Sequence, residues 1–266
     1  MIACLATMSS SVAAADNEEK WHAPLGGYFS ANFTVASEYS QSGISQTQLK
    51  PALQAGLDYR TGSLIEQFPL WVYATAWGSN IDFPVIGEGA EVQVAGGVKA
   101  RLLERRLSLD LGYIQHAYPG ISVEYGLDYG ELNFNLGYDF GIATLGTRIR
   151  YSANGLGNSG INWNKRGLLS LPLPFLAIND DISFKAYGSL GNVWFEKPLG
   201  AGIPSPDYWY WQIGIITSLY GIDVNLAYTD TSIDPAGCQS TRYCAGRVFI
   251  AVSKVCLLYT SDAADD

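Results

Sequence analysis

From Tyr28 onward, apolar and polar positions alternate with a period of two, the pattern of strands that bury or present one apolar face. In "YFSANFTVASEY" the residues Phe29, Ala31, Phe33 and Val35 alternate with Ser30, Asn32 and Thr34. In "ELNFNLGYDF" Leu132, Phe134, Leu136 and Tyr138 oppose Asn133, Asn135 and Asp139, and in "GIDVNLAYTD" Ile222, Val224, Leu226 and Tyr228 oppose Asp223, Asn225 and Thr229. Applied along the chain, the pattern predicts about twelve strands. They fall near residues 28–39, 50–60, 69–81, 90–102, 106–117, 129–140, 142–153, 163–173, 181–195, 207–219, 221–231 and 245–255. Most are near or above the roughly 9–11 residues that a tilted strand needs to cross a bilayer.

The connections alternate as well. Those at 40–49, 82–89, 118–128, 154–162, 196–206 and 232–244 are polar or rich in glycine and proline, while those between them are mostly short, with 61–68 and 174–180 longer than the rest. Long loops at one end, short turns at the other and an even strand number predict an all-β fold, an antiparallel transmembrane β-barrel. A secreted or surface β-sandwich binding module without channel activity could also alternate, but its polar face would carry many Lys and Glu. Only 15% of the residues are charged, against about 25% in soluble domains. That scarcity favours a barrel, whose apolar face meets lipid and whose closure leaves no unpaired edge in hydrocarbon. Trp71, Tyr73, Trp77, Tyr113, Trp163, Trp194, Trp209 and Trp211 lie near strand ends and are expected in interfacial girdles.

Turning the polar face inward gives the candidate pore-lining set: Asn32, Gln54, Asp58, Arg60, Lys99, Arg101, Asp110, Asn133, Asn135, Asp139, Arg148, Arg150, Lys185, Gln212, Asp223, Asn225 and Arg247. Bases outnumber acids in it. Arg148 and Arg150 share one face of one strand, about 7 Å apart by strand rise, and charge clustered in a narrow lumen focuses the field. A weak anion preference is expected from this pair unless carboxylates such as Asp139 neutralise it. A barrel of about twelve strands lies between filled eight-stranded barrels and wide porins, so a narrow pore is expected.

The net charge of −9 argues against a nucleic-acid partner, which needs clustered Lys and Arg. The N-terminus, "MIACLATMSSSVAAADNEEK", is apolar, then small, then charged, and Ala13-Ala14-Ala15 before Asp16 fits a signal-peptidase site. Residues 1–15 are therefore expected to be a signal peptide, incomplete because the basic leading segment is missing, and 16–27 a short periplasmic segment before a barrel over 28–255. Export agrees with Cys238 and Cys244 in "DPAGCQSTRYCAG", spaced to close a small disulfide loop. The tail "CLLYTSDAADD" at 256–266 resembles translated adapter sequence and is expected to be non-native.

The stretches "SEYSQSGISQTQLKPALQAGLDY" at 37–59, "WGSNID" at 77–82 and "GRVFIAVSK" at 246–254 resemble the TorF-type porin family, conserved hypothetical outer-membrane proteins of Gram-negative bacteria. The resemblance runs from about Tyr28 to Lys254 and implies an outer-membrane barrel for passive diffusion, with no assigned substrate. Family members commonly carry arginines before the "GIS" element, where this chain has Ser40, Gln41 and Ser42. The implied partners are outer-membrane lipid, small solutes and, during biogenesis, the barrel-assembly machinery.

Candidate chemistry is sparse. The histidines are His22 and His116; His116, at a predicted strand end, is expected in a girdle or loop rather than in catalysis. Asp82, Glu88 and Glu91 could hold a cation near the mouth, though isolated loop carboxylates are ordinarily solvated. "GEGAEVQVAGG" precedes no helix and does not fit a phosphate loop. No enzyme activity, cofactor or metal is expected.

Overall fold

The computed structural model describes residues 23–179 and 181–260. The expected signal peptide and most of the segment before the barrel lie outside these residues. Pro24–Gly26 form a single 3-10 turn before the first strand.

Twelve antiparallel strands close into one barrel: β1 Tyr28–Ala36, β4 Ala52–Arg60, β5 Leu70–Phe83, β6 Gly87–Leu102, β7 Leu107–Ala117, β8 Tyr129–Asp139, β9 Thr144–Ser152, β10 Asn162–Pro172, β11 Ile182–Phe195, β12 Asp207–Leu219, β13 Ile222–Thr231 and β14 Arg247–Thr260. Each pairs with its sequence neighbour, and β1 pairs with β14 to close the sheet. This excludes the sandwich. A two-stranded hairpin, β2 Ser40–Gln41 and β3 Ile44–Ser45, lies outside the barrel sheet.

The alternation maps onto the two faces of the wall. Phe33, Val35, Leu53, Leu57, Val94, Leu111, Leu132, Leu145, Leu190, Ile213, Leu226 and Val248 are exposed on the outside. Their neighbours Ser30, Gln93, Asn133, Arg150, Asn164, Ser189, Asn225 and Thr229 are buried. In water an exposed apolar belt of this extent would aggregate; in hydrocarbon it is solvated.

Three boundaries differ from expectation. β5 and β6 extend past the other strands as a ribbon, so the connection expected at 82–89 shrinks to 84–86. The strand β14 continues past residue 255, pairing Cys256 with Ala31 and Leu257 with Ser30 before a bulge shifts the register at Phe29/Ser30. The connection expected at 40–49 runs from 37 to 51, and it folds inward over the barrel mouth.

Candidate functional site

The barrel mouth at the long-loop end is filled by residues 37–51. Their hairpin turns on Ser42 and Gly43, both with positive φ (49° and 83°), the backbone of a two-residue primed turn that matches strand twist. Glycine is required at 43 for a second reason: a Cβ there would meet Thr231 Cγ2 at 2.4 Å.

Contacts fix this loop to three separated strands of the wall, β14, β10 and β5. Arg247 of β14 donates from Nε to Glu38 Oε1 (2.5 Å), from one terminal nitrogen to the Gly43 carbonyl (3.0 Å) and from the other to Ser40 Oγ (3.2 Å). Tyr243 donates its hydroxyl to Gln48 (2.8 Å), and the Ser45 amide donates to the Tyr243 carbonyl (3.0 Å). Asn164 of β10 donates to Ser42 Oγ at 2.8 Å. Asp82 of β5 accepts from Gln48 and Lys50, both at 2.6 Å, and its amide donates to the Gln46 carbonyl at 2.8 Å.

Thr47, fully buried, organises the loop internally: its hydroxyl accepts from the Tyr39 amide and donates to the Lys50 carbonyl. Tyr39 packs edge-on against Trp77, in one apolar cluster with Ala36, Ala52, Ile81, Tyr118, Leu127, Tyr129 and Ala251. Ile44 reaches the other cluster, formed by Val193, Phe195, Ile203, Tyr208 and Tyr210. The loop is therefore a crossbar. Burial, and after it the Glu91 charge, push the Tyr39 phenol above its ordinary value, keeping it neutral. The hydrogen bond to Asp82 raises the Lys50 ammonium.

Below the crossbar lies a buried charge network. His116 of β7, with no solvent exposure, places Nδ1 2.9 Å from Glu91 Oε1 and Nε2 3.1 Å from Glu131 Oε2. Its ring stacks on Tyr129 at 4.3 Å. Gln93 donates to Glu91 (2.7 Å), and Arg150 donates to Glu131 (3.1 Å) and Asn133 (3.4 Å). Two carboxylates facing both ring nitrogens suit a doubly protonated imidazole. Two acids then balance two bases, which is the condition for tolerating buried charge.

These contacts correct several expectations. His116 lies inside the wall, not in a girdle or loop. Asp82 and Glu88 both approach Lys50 (2.6 and 3.6 Å) whereas Glu91 is committed to His116, so the three acids do not converge on one point. Trp71, Tyr73 and Trp77 of β5 point inward: Arg60 lies over Tyr28 and Trp71 (4.7 and 4.6 Å), Tyr73 donates to Asp110 (2.9 Å) and Trp77 meets the crossbar. Tyr113, Trp163, Trp194 and Trp209 are exposed on the outer face.

The expected lining residues separate by position. Asn32 donates to Asp58 at 2.9 Å, and Gln54 to Ser79 at 3.4 Å. Asp110 accepts from Asn135 at 3.1 Å and lies 3.8 Å from Lys99. Gln212 donates to Tyr187, which donates to Asn225. Arg101, Asp139, Lys185 and Asp223 sit near the short-turn rim, where Asp139 accepts from the Gly141 amide and Asp223 from Ser218. Asp139 therefore caps a turn and does not neutralise Arg150; Glu131 does. Cys238 and Cys244 are joined by a disulfide, with Cα atoms 6.0 Å apart.

A family model described as a bacterial protein of unknown function (Gcw_chp) matches residues 22–255. The chain belongs to the Gcw_chp family. No curated protein matches the sequence. Among solved structures, an outer membrane channel from Pseudomonas putida F1 is similar at 8% identity and TM-score 0.52, covering 92% of this chain and 100% of that one. The NanC porin aligns at 13% identity and TM-score 0.48, over 86% of this chain and 98% of that one. LpxR from Salmonella typhimurium aligns at 10% identity and TM-score 0.45, over 85% and 99%. At such identity the likeness concerns fold, and this Gcw_chp chain has the fold of outer-membrane barrels.

Proposed function

We propose that this Gcw_chp barrel is a porin-like, non-enzymatic channel for passive diffusion of small solutes across the bacterial outer membrane. The observation that carries the reading is the division of the wall. A continuous apolar exterior suits hydrocarbon, and a polar interior suits water and solute. The TorF-type resemblance and the channel among similar folds support it. Export through a signal peptide, contact with outer-membrane lipid and delivery by the barrel-assembly machinery belong to the same reading.

The crossbar makes the channel narrow at its mouth, so solutes pass beside residues 37–51 or after they shift. Conductance of the purified protein in a planar lipid bilayer tests this. Discrete steps above the bare-membrane background are expected; a correctly folded, heat-modifiable protein that gives none is not a channel.

A further inference from the structure

The interior carboxylates are all engaged, but not all the interior bases are. Glu91 and Glu131 bind His116 and Arg150, Asp110 binds Tyr73, Asn135 and Lys99, Asp58 binds Asn32, and Glu38 binds Arg247. Arg148 and Arg166 have no carboxylate partner among the described residues. Arg166 donates from one terminal nitrogen to Ser189 Oγ at 2.9 Å. The Nε atoms of Arg148 and Arg166 are buried without a hydrogen-bond partner.

Register places these two side by side. Arg148 of β9 is the direct antiparallel partner of Arg166 of β10, and both lie on the inward parity set by Arg150 and Asn164. Directly paired residues hold their Cβ atoms about 4.5–5.5 Å apart, where like charges destabilise a sheet. A buried donor without an acceptor adds a further cost. On the next strand Gly191 of β11 faces Arg166, and the Tyr210 ring occupies the position where a side chain at 191 would stand. Two guanidinium forks thus lie side by side on the lumen face with an aromatic ring beside them, just below the crossbar, with no carboxylate partner among the described residues.

We infer that Arg148 and Arg166 form an oxyanion-binding site in the lumen, suited to small solutes that carry a carboxylate or phosphate group. The guanidinium fork matches such groups through two parallel hydrogen bonds, which chloride cannot accept in the same way. Arg150 has a different role, because its charge is balanced by Glu131. The role in transport rests on the channel reading; the binding site itself does not.

The test uses the purified full chain in detergent, titrated calorimetrically with sodium phosphate and with sodium acetate at constant ionic strength, with sodium chloride as reference. Phosphate or acetate is expected to bind and chloride not. Arg148→Gln and Arg166→Gln should each weaken binding about tenfold or more, while Lys165→Gln, on the outward parity, should leave it unchanged. Arg148→Lys and Arg166→Lys, which keep charge but lose the fork, should bind with intermediate affinity; they also serve if a Gln variant fails the heat-modifiability check. Binding of one oxyanion but not the other assigns the solute class. No oxyanion binding, or equal binding in all folded variants, overturns the site. Bilayer recordings of the same samples separate the two ideas. Arginine-dependent binding without conductance sinks the channel and leaves the site, whereas conductance without binding does the reverse.

Discussion

Arg247 on the last strand and Glu38 in the loop after the first meet at 2.5 Å, with Glu38 only 4% exposed on its side chain. The pair is the firmest attachment between the crossbar and the wall. Removing one partner of a buried ion pair typically costs about 3–5 kcal/mol, because the other charge is stranded. Neutral hydrogen bonds of the same loop contribute about 1 kcal/mol each.

Arg247→Ala should therefore release residues 37–51 from the mouth without disrupting the barrel sheet. Single-channel conductance should rise, and protease added to intact cells should cleave within 37–51. A variant whose conductance and cleavage match the parent would show that Asp82 and Asn164 suffice to hold the loop.

A second prediction concerns His116. Its removal leaves Glu91 and Glu131 buried without the cation between them, so His116→Ala should destabilise the barrel by about 3–5 kcal/mol. The temperature at which the folded band converts to the unfolded band on a gel should fall. His116→Ala combined with Glu91→Gln should recover part of the loss, since it removes one stranded charge. No recovery in the double variant would mean that packing against Tyr129, not charge balance, is what His116 supplies.

The strands were legible in the sequence because both faces of most of them are chemically distinct. Where that contrast fails, the reading failed. In "LWVYATAW" the outward positions Val72, Ala74 and Ala76 are small and apolar and the inward Trp71, Tyr73 and Trp77 are aromatic, so alternation cannot choose a side; pairing of Tyr73 with Arg60 and Thr75 with Asp58 does. In "NWNKRGLL" every residue from Asn162 to Arg166 except Trp163 is polar, and Arg166 was hidden. Its inward parity follows from the exposure of Leu169 and Leu171 on the other face. The crossbar hairpin had a local signal in Ser42-Gly43, but its inward path depends on contacts with β5, β10 and β14 that no local pattern contains.

The register of β13 gives a third prediction. Leu226 is 55% exposed on the outer face while Asn225 is 5% exposed and accepts from Tyr187 at 3.1 Å. An arginine near the bilayer midplane costs about 2–4 kcal/mol on a lipid-facing strand position. Leu226→Arg should reduce the folded, outer-membrane fraction, and Asn225→Ser should assemble normally. Equal assembly of both would refute the assignment of faces.

The disulfide loop supplies the last prediction. Cys238 and Cys244 are buried, Thr231 donates to the Cys244 carbonyl at 2.8 Å, and the adjacent Tyr243 holds the crossbar through Ser45 and Gln48. The bridge thus braces the crossbar through Tyr243. Closing so short a loop contributes about 2 kcal/mol by constraining the open state. Cys238→Ser with Cys244→Ser should therefore loosen Tyr243, raising conductance as Arg247→Ala does but less, with the barrel still heat-modifiable. Gln239 and Ser240 are exposed at the tip of the same loop. An epitope inserted at Gln239 should be labelled on intact cells if the long-loop end faces outward. Labelling confined to permeabilised cells would place the crossbar at the periplasmic mouth and invert the direction from which solutes meet it.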